Sequence, residues 1–126
     1  KHGITDLTSL KLSRAGKEYA DYLMAIAKGG DWFEINVAMA PCLFGYSEAA
    51  FNAEVTVGEG EYLEWINDYK SEGYSDAVEL GRITLERHSI GISTDKALKL
   101  VKIFADVALL EVNFWTDALN FEEETN

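Results

Sequence analysis

Between Thr94 and Asn120 the apolar residues Leu100, Ile103, Val107, Leu110 and Phe114 recur at alternating spacings of three and four. That is the period of one face of an α-helix, and a strand cannot carry it, because strand side chains change face at every residue. A helix of this length with such a stripe has to bury it against other elements. The rest of the chain supplies helices to do so. Alternating β-branched runs are nearly absent and there is one proline. The expectation is an all-α fold, a helical bundle of about five helices.

A first helix is predicted over about Arg14–Lys28. Ala20, Leu23 and Ala27 lie at helical spacing, with Tyr19, Tyr22 and Ile26 beside them. Gly29-Gly30 is expected to end it with a left-handed cap. Asp31 is a fair N-cap for a second helix from Trp32 to about Ala53. Pro41 lies well inside that helix and removes the donor for the carbonyl of Val37, so a kink is expected. Val57–Gly60 reads as a turn. A third helix, about Glu61–Lys70, carries Tyr62, Trp65, Ile66 and Tyr69 on one stripe, and Gly73 is expected to break it. Ser75 is expected to cap a fourth helix to about Arg87, with Val78, Ile83 and Leu85 as apolar candidates. Ile90–Ser93 links it to the last helix, capped by Ser93 or Thr94. Lys1–Leu12 reads as a loop or the tail of an earlier element, and Glu122–Glu124 as a solvated acidic end. Without repeats or low-complexity linkers, residues 1–126 are expected to form one domain. A start at Lys1-His2, without Met, suggests a processed product or a fragment.

Charge and cysteine narrow the function class. A net charge of −11 argues against nucleic acid and against anionic membrane surfaces, both of which recruit cations. The one cysteine, Cys42, permits no internal disulfide and fits a reducing compartment. No signal-peptide pattern is present. The longest mostly apolar stretch, Ile35–Tyr46, is interrupted by Asn36 and Pro41 and falls short of the ~20 residues of a spanning helix. A cytoplasmic location is expected.

Neither a metal nor a cofactor is expected. His2 and His88 lack the Glu-x-x-His or Cys-x-x-Cys neighbours of a metal site, Glu86-Arg87-His88 has the wrong spacing, and Gly29-Gly30 lacks the context of a phosphate loop. Three features stand out instead. Cys42 follows Pro41 and has Tyr46 four residues on, so thiol and phenol share a helical face. The alternative is that Cys42 is a small buried hydrophobe. Glu111 lies in an apolar and aromatic stripe with Phe104, Ala108, Trp115 and Ala118. It is either paired with a cation, Arg14, Arg82 or Arg87, or holds a raised pKa suited to proton transfer. Tyr62, Trp65 and Tyr69 form a stripe whose polar atoms need partners. The stripe is either core or the wall of a pocket for a flat, polar heterocycle, with Tyr69 best placed to reach into a cleft.

The run Ala40-Pro41-Cys42-Leu43-Phe44-Gly45-Tyr46, then Tyr62-x-x-Trp65-Ile66-x-x-Tyr69 with Tyr74 soon after, then Glu111-x-x-Phe114-Trp115-x-x-Ala118-Leu119 resembles the TenA/thiaminase II family. The resemblance spans about Lys17 to Leu119. It implies a haem-oxygenase-like all-α fold, usually a homotetramer. It also implies hydrolysis of aminopyrimidines, released from degraded thiamin, to hydroxymethylpyrimidine for salvage, or cleavage of thiamin itself. Carried across, Cys42 is the nucleophile that adds to the pyrimidine ring. Glu111 is the acid/base that protonates the ring nitrogen and leaving group. Tyr46 positions Glu111 and the ring, and Tyr69 lines the pocket. The chain departs from the family in looking like its C-terminal half. The first helices and the aspartate that binds the aminopyrimidine edge have no counterpart; Asp21 lies in the wrong helix. In fungi the family is also fused behind a hydroxymethylpyrimidine phosphate kinase domain. A partner supplying the missing helices, or self-association, is therefore expected to cover the apolar faces. The alternative function is a pyrimidine-binding or assembly module of the same fold that has lost turnover.

Overall fold

The computed structural model of the chain describes residues 11–53 and 62–120. The predicted turn Val57–Gly60, Glu61, His2 with the opening as far as Leu10, and the acidic tail Glu122–Glu124 lie outside the described residues. Those described form five helices: α1 (Arg14–Gly29), α2 (Trp32–Asn52), α3 (Leu63–Lys70), α4 (Glu72–Ser89) and α5 (Thr94–Leu119). The all-α expectation is borne out.

Short polar side chains set where most of the helices begin. Ser13 accepts from the Gly16 N–H at 3.1 Å, Asp31 from Glu34 at 2.9 Å, Ser71 from Tyr74 at 3.2 Å and Ser93 from Lys96 at 3.2 Å. Each satisfies an amide that the helix itself leaves unpaired. Ser71 corrects the sequence reading. Gly73 does not break the chain and Ser75 does not cap α4; both lie inside it. Ser71 ends α3 and starts α4 at once, because its hydroxyl also donates to the Asp68 carbonyl at 2.7 Å.

Gly30 is a second correction. Its backbone is extended, at φ −92° and ψ 167°, not left-handed. Space selects glycine there: a Cβ would stand 2.7 Å from the Ile26 carbonyl oxygen and 2.8 Å from Glu34 Oε2. The left-handed glycine among the described residues is Gly91, at φ +78°, in the turn before α5. α2 remains helical through Pro41.

The core is the seam of α2 and α5, closed on one side by α1. Val37, Ala38, Leu100, Ile103 and Val107 are buried together, with Tyr22, Leu23, Ile26, Phe33 and Leu85 packed on them. The predicted α5 stripe thus divides. Its first three members are core, whereas Leu110 and Phe114 are half-buried. Each fully buried aliphatic side chain contributes roughly 1.5–3 kcal/mol. α5 is apolar on a further face as well: Leu98, Val101, Leu109, Val112 and Leu119 are exposed. No described helix is long and apolar enough to cross a membrane.

At the start of the seam Glu34 is 3% exposed. Its carboxylate takes Lys96 Nζ at 2.5 Å and Lys99 Nζ at 2.7 Å, while Lys96 also reaches Asp31. A carboxylate buried this deeply is tolerable only when paired.

Candidate active site

Past Pro41 the same two helices diverge in character. α2 carries Cys42 and Tyr46 one turn apart on the face turned to α5, as their spacing requires. α5 presents Glu111 to them. The Tyr46 hydroxyl donates to Glu111 Oε2 at 3.4 Å, and the Tyr19 hydroxyl, from α1, donates to Oε1 at 2.5 Å. The Cys42 thiol is close enough to the same carboxylate for its charge to act on the thiol. Three helices therefore converge on Glu111. The ion pair weighed from sequence is not formed among the described residues. Arg14 holds Glu18, Arg82 holds Glu79 and Glu86, and no salt bridge there ends on Glu111.

An aromatic cluster backs this group. Tyr46 stacks on Tyr69 with ring centroids 5.2 Å apart, and meets Trp115 at 5.8 Å and Trp65 at 6.2 Å. Tyr69 in turn takes Trp65 at 4.7 Å and Tyr74 at 4.8 Å on edge. Tyr62, placed on the same stripe from sequence, is 71% exposed. It stands at the position before α3.

A cavity of about 530 Å³ opens between α2 and α5. Its walls are Pro41, Gly45 and Ala49 on one side, and Glu111, Val112, Trp115 and Leu119 on the other, with Tyr46 and Trp65 at its end. Such a volume is that of a small-molecule pocket, mostly apolar with a few polar groups. Of the four residues singled out from sequence, Tyr46 and Glu111 line it. Cys42 and Tyr69 are not among its walls; they adjoin it through Glu111 and Tyr46 respectively. A second hollow, of about 420 Å³, shares Pro41, Gly45 and Glu111 and runs toward Phe44 and Phe104. Glu111 thus stands between two openings.

The electrostatics follow from this enclosure. Burial pushes the Cys42 thiol above its ordinary 9.0, and the neighbouring Glu111 carboxylate adds to the rise. Burial, then Glu111 and Cys42, push Tyr46 up to about 12. Burial and the hydrogen bond to Glu111 hold Tyr19 above the ordinary phenol range. Every shift keeps a proton on a group facing Glu111, first because burial disfavours the charged form and then because a second negative charge beside that carboxylate is unfavourable.

Tyr19 was read from sequence only as a flank of the α1 stripe. The signal that could have found it is its pairing with Tyr22. Both phenols sit on an otherwise apolar face, and each ends on an α5 carboxylate, Glu111 and Asp106. A buried tyrosine needs a polar partner, but sequence does not say that the partner lies 92 positions away. Among the described residues no group of three or more His, Cys, Asp or Glu could hold a metal ion.

The chain has relatives among known proteins. The hydroxymethylpyrimidine/phosphomethylpyrimidine kinase THI20 of Saccharomyces cerevisiae is 35% identical over 90% of this chain and 21% of its own length. The thiamine biosynthesis protein THI22 of the same yeast is 36% identical over 92% of this chain and 21% of its own. An aminopyrimidine aminohydrolase of Halalkalibacterium halodurans is 25% identical over 91% of this chain and 53% of its own. The chain thus spans about a fifth of these yeast proteins and about half of the bacterial one. The TENA/THI-4/PQQC family matches residues 3–120, which take in all five helices and every residue that meets Glu111. The chain belongs to the TENA/THI-4/PQQC family.

Proposed function

We propose that the chain carries the catalytic half of an aminopyrimidine aminohydrolase, or thiaminase II, acting in thiamin salvage. One observation carries the reading: two phenols bond to a single carboxylate, with a thiol near enough to feel its charge, beside an aromatic-ended cavity. The family and the aminohydrolase named among the relatives support it.

In this reading a flat aminopyrimidine enters beside Tyr46 and its ring meets Cys42 and Glu111. The Cys42 sulfur adds to a ring carbon, and the thiol proton passes through Glu111 to a ring nitrogen, so no net charge builds on the ring. Glu111 then takes that proton back from the ring nitrogen and delivers it to the amino group on the exocyclic methylene. The methylene carbon–nitrogen bond breaks, ammonia leaves, and an exocyclic double bond forms. Water adds to the methylene carbon, and its proton passes through Glu111 to the ring nitrogen. The carbon–sulfur bond then breaks, the ring nitrogen gives up its proton, and Glu111 returns it to Cys42. The balance is aminomethylpyrimidine plus water to hydroxymethylpyrimidine plus ammonia. Tyr19 and Tyr46 keep the carboxylate oriented through this cycle, and Tyr69 supports the Tyr46 ring. No cofactor is needed for these steps, and the lone free thiol fits a cytoplasmic setting.

The exposed apolar face of α5 and the open cavity support a further element of the proposal. Helices from the rest of a longer polypeptide, from a partner, or from further copies of the chain cover this face and complete the substrate pocket.

The test is ammonia release from an aminopyrimidine. Turnover that disappears in Cys42→Ala and in Glu111→Gln is expected. Absence of ammonia from a chain whose apolar face is covered, together with tight pyrimidine binding, would favour the other reading, a binding or assembly module. One observation speaks for that reading: Cys42 is held protonated, and a thiol is a far weaker nucleophile than a thiolate.

A further inference from the structure

The Cys42 turn is gripped from a side that the chemistry does not use. α4 crosses α2 there with two contacts, two helical turns apart. The Tyr74 hydroxyl donates to the Leu43 carbonyl oxygen at 3.1 Å. Seven residues on, Gly81 brings α4 so close that a Cβ would stand 2.6 Å from Leu43 Cδ2 and 3.5 Å from the Phe44 ring. Leu43 is the residue after Cys42, and a helical carbonyl keeps a lone pair for such a bond. The segment has reason to need a grip, since Pro41 removes a backbone hydrogen bond just before it. The position of Tyr74 is itself fixed twice. Its amide is capped by Ser71 Oγ at 3.2 Å, and its ring meets the edge of Tyr69 at 4.8 Å.

We propose that Tyr74 is a positioning residue: through the Leu43 carbonyl it holds the Cys42 turn of α2 so that the thiol keeps its place beside Glu111. It touches neither the cavity nor Glu111 and takes no part in the bond changes. This rests on the reading of Cys42 as nucleophile and adds to it a reason for a hydroxyl at residue 74, where a phenyl ring would fill the same space.

The hydroxyl is removed alone in Tyr74→Phe, and Gly81→Val loosens the same crossing from its other contact. Glu79→Gln, whose partner is Arg82 on the outer face of α4, serves as control. Two quantities are read on the purified chain: the rate of Cys42 alkylation by iodoacetamide from pH 6 to 10, and kcat and KM for ammonia release. The groups facing the thiol are Glu111 from α5, Tyr19 from α1, Tyr46 on α2 and Tyr74 from α4, with Tyr69 of α3 behind them. Burial holds the thiol protonated first, and of these groups Glu111 adds to it. A turn released from α4 exposes the thiol and lets it drift from Glu111. Tyr74→Phe and Gly81→Val should then alkylate with a midpoint moved toward lower pH, while kcat falls by about tenfold to a hundredfold and KM changes little. General destabilisation would also expose the thiol, so both quantities are read well below the unfolding temperature of each variant, where loss of the fold no longer contributes. An unchanged alkylation profile in Tyr74→Phe would overturn the proposal, even in an enzyme that needs Cys42. Absence of ammonia from the wild type would instead count against the catalytic reading, and the alkylation arm would still decide the role of Tyr74.

Discussion

Glu34 and Glu111 are both withdrawn into the interface of α2 and α5, and they are treated in opposite ways. Glu34 is met by two lysines and an N-terminal helical turn, and its pKa is lowered, first by Lys96 and then by Lys99. Glu111 is met by two phenols and a thiol, all of them proton donors that carry no positive charge. The first arrangement fixes a charge and leaves it nothing to do. The second leaves a carboxylate surrounded by exchangeable protons beside a cavity. One pair of helices is core at one end, around Val107, and a candidate site at the other. The change comes at Pro41, after which Gly45 and Ala49 leave room where larger side chains would have closed the seam.

Substitutions at the two ends should separate these roles. The largest effect is expected at Glu111. Glu111→Gln should lower the rate of ammonia release by about 10²–10⁴-fold, the range for losing a positioned acid/base, with little change in thermal unfolding. The corresponding Glu34→Gln should do the reverse. It strips two lysines of their shared partner, so the unfolding temperature drops while the residual activity per folded molecule is retained.

Next in size is the core itself. Val107 is fully buried, so Val107→Ala should cost about 2 kcal/mol through lost burial and the cavity left behind. Chemical denaturation would measure it. The equivalent truncation on the outer face, Leu109→Ala, removes a 61% exposed side chain and should cost well under 1 kcal/mol in the isolated chain. A large loss at Leu109 would mean that its face is already covered by another copy.

Acidity offers a finer distinction. The folded-state pKa of Glu34 is depressed below its ordinary 4.5. Its contribution is therefore fully present above that value and is lost as pH falls toward the folded pKa. Unfolding temperature should decline on acidification below about pH 4.5, and the decline should be shallower in Glu34→Gln. The smallest effect is expected in Tyr19→Phe. It removes one of the two phenol bonds to Glu111 and should cost about 1 kcal/mol in stability, with a measurable fall in activity if orientation of the carboxylate matters.

The helices were legible because periodicity and caps are local. The α5 stripe, Asp31 and Ser93 each act within one or two turns, and a single sequence displays them. The misread positions are decided within a turn as well, but by where neighbouring atoms point, which spacing does not display. Ser71 outcompetes Gly73 because its hydroxyl bonds in both directions along the chain. Gly30 is glycine for want of space beside Ile26 and Glu34, not for its dihedral freedom. The site was legible in part for a similar reason. Cys42 and Tyr46 share a helical face by spacing alone, and Glu111 betrays itself as a carboxylate in an apolar stripe. That Tyr19 completes the group, and that the cation weighed as a partner for Glu111 is absent among the described residues, depends on how α1 lies across α5. No short-range pattern encodes that.

The claim that this end of the α2–α5 seam binds and works on a pyrimidine rests most directly on Cys42. Its alkylation can be followed by mass spectrometry with and without a saturating aminopyrimidine analogue. Bound pyrimidine is expected to slow the modification strongly in the wild type, and to do so much less in Glu111→Gln. Modification at the same rate with and without the analogue would contradict it.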